Sequence, residues 1–245
     1  MLTDTTTRST FTALIIALAG CASTPGAKPQ DMSKAEHEQA ATQHEGQAAP
    51  HAGAYNPNAT VTKETCGGRG KSAYGGCWTS VTNPTAQHQE DAEKHRKMAA
   101  DHRAAAQALS AAEAQSCAGI SEMDRDMSPF DHREDITNVT PHVVPTPAGA
   151  KSQVSTTRGA DVTFRAVQGM TAEWLQRIVD CHLARNASLG FEMPEMPYCP
   201  LAVKGARAKV VSTGNGFTVT VESDDPTSAK EILRRAQALV SKPVG

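Results

Sequence analysis

Ala208–Ser223 reads AKVVSTGNGFTVTVES, and this stretch decides the fold. Apolar and polar residues alternate on both sides of its centre, the period of a half-buried strand. The two runs, Ala208–Thr213 and Phe217–Ser223, flank Gly214-Asn215-Gly216, a strong hairpin signal. Upstream, Asp161–Val167 (DVTFRAV) alternates in the same way. Thr171 can then cap a helix whose Trp174, Leu175, Ile178, Val179 and Leu183 share one face. Downstream, Asp225-Pro226 opens a last helix with Ile232, Leu233, Ala236, Leu239 and Val240 inward. The order β-α-β-β-α over residues 161–245 predicts a small α+β sandwich, with helices on one face of an antiparallel sheet. An edge strand at Ile136–Val144 would complete a ferredoxin-like arrangement. Residues 120–160 otherwise read as a linker, because Pro129, Pro141, Pro145 and Pro147 interrupt long regular elements.

Residues 35–119 follow a different pattern. His37, His44 and His51 are spaced by seven, and so are His88, His95 and His102. Aligning the triplets places Ala48-Ala49 on Ala99-Ala100, so the segment reads as a duplicated Ala/His helix. The second copy is the stronger helix, with Asn83 as cap, Pro84 at its first position and Gly119 to end it. Pro50 is expected to interrupt the first copy before His51. A glycine-rich loop, Tyr55 to Trp78, lies between them.

Composition sets bounds on function. The 245 residues carry 24 basic and 26 acidic side chains, a net charge of −2 that argues against a nucleic-acid partner. One apolar run exists, so a polytopic membrane protein is excluded. Aromatic residues make up 4% of the chain, and half of them fall in the last third, where the sandwich is expected.

The apolar run is Phe11–Gly20 (FTALIIALAG), half the roughly 20 residues a membrane span needs. Its length suits the hydrophobic region of a secretory signal. It ends Leu18-Ala19-Gly20-Cys21, which resembles the lipobox of bacterial lipoproteins. The resemblance implies removal of residues 1–20, a diacylglyceryl thioether on Cys21 and an acylated amino group. Ala22 after that cysteine, with no Asp there, implies delivery to the outer membrane, facing the periplasm. The basic side of the signal is weak, Arg8 being offset by Asp4. Residues 21–34 then read as a lipidated Pro/Gly/Ala/Ser tether. Outside the lipobox, the repeats look like those of uncharacterised proteobacterial lipoproteins, a likeness to which no function attaches.

Export makes disulfides the default for the remaining cysteines. Sequence proximity suggests Cys66–Cys77, closing the glycine-rich loop, and Cys181–Cys199, tying a helix end to a proline-rich turn. Loops of that size are stabilised by about 3 kcal/mol each. Cys117 is then left over.

Two constellations bear on metal chemistry. Histidines seven apart stand about 10.5 Å apart along a helix. A metal needs nitrogens at about 2.0–2.1 Å, so consecutive rungs of one helix cannot chelate together. The bland reading is an Ala/His packing seam, with imidazoles bonded to neighbouring Glu or Gln. The functional reading is metal capture between helices by His95 and His102, with Met98 one turn away. Seam imidazoles would also resist protonation, giving a response near the histidine pKa. The second constellation is Cys181-His182 with Met193, Met196 and Cys199, all ligands that suit Cu(I). It competes with the Cys181–Cys199 disulfide, which would remove both thiolates.

Catalytic motifs fail on inspection. Gly68-Arg69-Gly70-Lys71-Ser72 resembles the end of a phosphate loop, but Thr65 stands where the first glycine is required. Cys181 and His182 are adjacent on a helix and point about 100° apart. Cys117 with His132 is the remaining nucleophile–base candidate and has no oxyanion signature. The expected function is thus a lipid-anchored, non-catalytic cell-envelope protein that binds another envelope component and requires no cofactor. The alternative is a periplasmic lipoprotein that binds copper or zinc through its His/Met/Cys clusters.

Overall fold

The computed structural model describes residues 24–66, 76–149 and 152–240. Helix α1 (Lys34–Ala54) starts at a capping box: Ser33 Oγ accepts from the Glu36 N–H at 3.2 Å, and Glu36 Oε2 accepts from the Ser33 N–H at 2.7 Å. Pro50 does not interrupt it, and the helix runs on to Ala54. A proline inside a helix removes one hydrogen bond and crowds the turn before it. Here Ala48, two residues before Pro50, is buried and His51 meets His88 across the hairpin, so tertiary contacts hold that turn in place. Strands β1 (Val61–Cys66) and β2 (Cys77–Thr82) pair antiparallel, and the expected Cys66–Cys77 disulfide closes them.

Helix α2 (Ala86–Ser116) begins two residues later than expected, because Asn83 Oδ1 accepts from the Thr85 N–H at 2.8 Å and leaves Thr85 at the cap. Gly119, with φ of 72°, turns the chain just past its end. The two helices lie side by side along a seam of buried alanines: Ala41 and Ala48 on α1, Ala92, Ala99, Ala105 and Ala106 on α2. Small side chains let the two backbones close on one another, which leaves the histidines as the large groups in the seam.

The rest of the chain is α3 (Glu122–Asp126), two short 3-10 turns (Pro129–Asp131 and Arg133–Asp135), β3 (Ile136–Gly149), β4 (Ser152–Arg165), α4 (Ala172–Ser188), β5 (Arg207–Thr213), β6 (Gly216–Glu222) and α5 (Pro226–Val240). The sheet is antiparallel throughout, in the order β3-β4-β6-β5. Val162 pairs with Val219 and Phe164 with Phe217, and these side chains are buried with Val179 of α4 and Ile232 and Ala236 of α5. Asp161, Thr163, Thr218 and Thr220 alternate with them on the half-exposed face. The fold class is therefore α+β, with a helical N-terminal region and helices on an antiparallel sheet. Thr171 caps α4, accepting from the Trp174 N–H at 3.1 Å, and Asp225 accepts from the Ser228 N–H at 2.7 Å where α5 begins.

Three expectations are corrected. Residues 120–160 are not a linker, since α3, β3 and the first part of β4 lie within them. Pro141 and Pro145 stand in β3, an edge strand, where a missing N–H costs little, and the pairing shifts register at His142/Val143. The extra strand joins β4 as a hairpin, so the order is ββαββα and not the βαββαβ of a ferredoxin-like fold. Finally, residues 24–33 do not hang free as a tether. The Thr24 hydroxyl donates to Asp101, and Lys204 Nζ donates to the Asp31 carbonyl at 3.4 Å.

The hairpin is joined covalently to the sheet domain. Cys181 pairs with Cys117 at the end of α2, and not with Cys199. Helical periodicity explains the choice: Trp174, Ile178 and Cys181 share the face of α4 that meets Ile120 and Cys117, whereas Leu175 and Val179 face the sheet. Arg177 reinforces the joint, donating to the Ala118 carbonyl at 2.6 Å and lying over the Trp174 ring. Cys199 is a free thiol buried in the main core. Among the described residues no helix is long and apolar enough to cross a membrane.

Candidate functional site

The six heptad histidines form one continuous ladder between α1 and α2. In a constant antiparallel register, His37 meets His102, His44 meets His95 and His51 meets His88, with Nδ1–Nδ1 distances of 3.0, 3.4 and 3.2 Å. Each ring also lies beside the next rung: His44 stacks on His102 at 5.6 Å between centroids, and His51 on His95 at 5.8 Å. The seam expected from sequence is present, but its imidazoles pair mainly with each other. His44 alone bonds a neighbouring Gln, Nδ1 donating to Gln47 Oε1 at 3.0 Å.

The three rungs differ in what surrounds them. His37 and His102 are buried at 0% and 3% exposure, and His37 Nε2 lies 3.1 Å from the Lys28 carbonyl oxygen. A carbonyl only accepts, so His37 Nε2 carries a proton and donates to it. Burial, then the neighbouring His37 and His44, hold the His102 pKa below its ordinary value. In the middle rung, His44 Nδ1 is engaged by Gln47. In the outer rung, His51 Nδ1 faces a carboxylate, Asp91 Oδ2, at 4.0 Å, and both side chains are about one-third exposed (33% and 34%). Gln87 Nε2 donates to the other oxygen of Asp91 at 3.1 Å. Sequence spacing located all six histidines, while Asp91 went unnoticed there. Its position three residues after His88, on the same helix face, was the available signal.

Of the metal residues expected from sequence, His95 and His102 do enter the seam, where each faces a histidine of α1. Met98 is half-buried on α2. The Cys/His/Met constellation does not assemble. Cys181 is consumed in the disulfide with Cys117. His182, about 100° round the helix, is buried with Nε2 3.0 Å from the Asp124 carbonyl, and burial pushes its pKa down. Met193, Met196 and Cys199 belong to the main core, where burial raises the Cys199 thiol pKa and Ser128 Oγ lies 3.4 Å from its sulfur. The proposed pairing of Cys117 with His132 fails for the same reason, because Cys117 has no thiol to activate. Cys21 lies outside the described residues.

A second feature is an apolar groove of about 220 Å³ between α3, α4 and one end of the central strands β4 and β6. Met123, Met127, Met170, Phe164, Leu175 and Phe217 line it, and Met123 is 70% exposed. His132, Glu134 and Asp135 stand close enough together at its rim to suggest a cation site. Arg165 Nε already donates to Asp135 at 2.6 Å, so that carboxylate is neutralised by a guanidinium. Comparison with known proteins finds no family model, no curated protein and no solved structure that matches the chain.

Proposed function

We propose that this chain is a non-catalytic, lipid-anchored cell-envelope protein that binds another envelope protein through its methionine-edged groove. The observation that carries this reading is an exposed apolar groove built on a covalently braced scaffold. Methionine is flexible and polarizable and suits a surface that receives a partner segment. Of the acids in residues 121–135 around the groove, Asp135 pairs with Arg165 and Asp126 with Arg185, which leaves Glu122, Asp124, Asp131 and Glu134 against Arg125 and Arg133. The fitting occupant is therefore a short apolar segment flanked by Lys or Arg. A lipid on Cys21 would stand three residues before Thr24, which is bonded to Asp101, so about 10 Å of chain would separate anchor and hairpin. A photo-cross-linker at Met127 in intact cells tests the reading. Capture of one envelope protein through a basic, apolar segment supports it; labelling of lipid alone, or of nothing, overturns it.

A separate observation favours metal binding as a second reading. The paired Nδ1 atoms of the ladder are spaced as ligands of one ion would be. The copper(I) cluster at Cys181 and Cys199 is withdrawn, since its residues lie in a disulfide and in the core.

A further inference from the structure

We infer that His51, His88 and Asp91 form a binding site for a divalent transition-metal ion of the zinc class, an inference that rests on the metal-binding reading. Two nitrogens at about 2.0–2.1 Å from a tetrahedral ion lie about 3.3 Å apart. His51 Nδ1 and His88 Nδ1 stand 3.2 Å apart, which matches that edge. A linear two-coordinate ion would need them about 4 Å apart, at twice the same bond length. The site is thus shaped for Zn(II) and ions like it and not for linear Cu(I).

The outer rung is chosen over the other two on chemical grounds. The inner rung is covered by residues 24–33, with both rings buried and, among the described residues, no carboxylate within 4.0 Å of its ring nitrogens. The middle rung, at 3.4 Å, matches the edge equally well, but His44 Nδ1 is occupied by Gln47. At the outer rung Asp91 Oδ2 lies 4.0 Å from His51 Nδ1, and turning its side chain toward His88, one helical turn away on α2, would bring a third, anionic ligand to the ion. Gln87 holds the other Asp91 oxygen and orients the carboxylate, as outer-sphere groups do in metal sites. Partial exposure leaves an entry path and a fourth position for water. A proton held on either Nδ1 must pass to Nε2 or to solvent before both lone pairs can reach the ion. The two ligand helices are then cross-linked near the end of the hairpin, so metal would stiffen it.

The test uses the full chain purified in detergent and titrated with Zn²⁺ against a chromogenic chelator. One zinc per chain is expected, bound at least about tenfold more weakly in Asp91→Asn and lost in His51→Gln/His88→Gln, with His132→Gln unchanged. Ladder variants can unravel the hairpin, so the assignment is also read in the unaltered protein by nuclear magnetic resonance. Paramagnetic Co²⁺ should broaden the ring signals of His51 and His88 before any others. Zinc binding with Co²⁺ broadening first at His132 or at another rung overturns this site while leaving the metal-binding reading in place. Absence of zinc binding at millimolar concentration overturns both.

Discussion

Cys117, at the last turn of α2, is bonded to Cys181, in the middle of α4, and this one bond fastens the histidine-bearing hairpin to the sheet domain. Its loop spans 64 residues, so chain entropy predicts a contribution of about 4 kcal/mol. Cys117→Ser/Cys181→Ser should lose about that much in urea denaturation. Peptide mapping should find Cys199 as the free thiol, unlabelled in the native state and labelled after unfolding. Recovery of a Cys181–Cys199 peptide would refute the pairing.

The two glycines of the Gly214-Asn215-Gly216 turn are predicted to differ sharply. A Cβ at Gly216, where φ is 155°, would lie 2.0 Å from the Phe164 carbonyl oxygen, while one at Gly214 meets nothing within 4 Å. Gly216→Ala should cost on the order of 3 kcal/mol, and Gly214→Ala less than about 1. Equal thermal shifts for the two variants would contradict the observed backbone.

Ala99 is 1% exposed in the helical seam, next to the middle rung. Ala99→Leu should overpack it, costing about 1–3 kcal/mol and parting His44 from His95. Thermal melting gives the cost, and loss of the ring-to-ring nuclear Overhauser contacts gives the separation.

Acid should loosen the hairpin. The pKa of His102 is lowered in the folded chain, chiefly by burial, from an ordinary value of 6.5. Asp101, bonded by Lys97 and Thr24, opposes this shift without cancelling it. The unfolded chain therefore binds more protons just below pH 6.5, so stability is full above that value and declines as pH falls through it. His182, also lowered by burial, contributes with the same sign. Melting temperatures at pH 7.5 and pH 5.5 check this, and His102→Gln should flatten the difference. A higher melting temperature at the lower pH would reverse the sign and refute the account.

Much of this was legible in the chain itself. The alternation around Gly214–Gly216, the caps at Thr171 and Asp225 and the seven-residue histidine spacing are local patterns, and each marks its element without help from elsewhere. Ile136–Val144 reads as an edge strand despite Pro141, but Pro145 and Pro147 hid that β3 runs on to Gly149, because pairing with β4 supports it there. Asp91 was missed because its relevance appears only once His51 is brought opposite it.

Sequence alone determined the α+β class, the two unlike parts and the identity of the six ladder histidines, since periodicity and turn chemistry act over a few residues. Tertiary structure decided the rest. A triplet spaced by seven reads the same in either direction, so spacing allows parallel and antiparallel pairing alike. The chain reversal through β1 and β2 selects the antiparallel register, and with it which imidazoles meet. Cysteine pairing follows the same logic. Proximity in sequence favoured Cys199 for Cys181, but the face of α4 on which Cys181 lies points at α2. Bonds form between side chains that packing brings together, however far apart they stand in the chain.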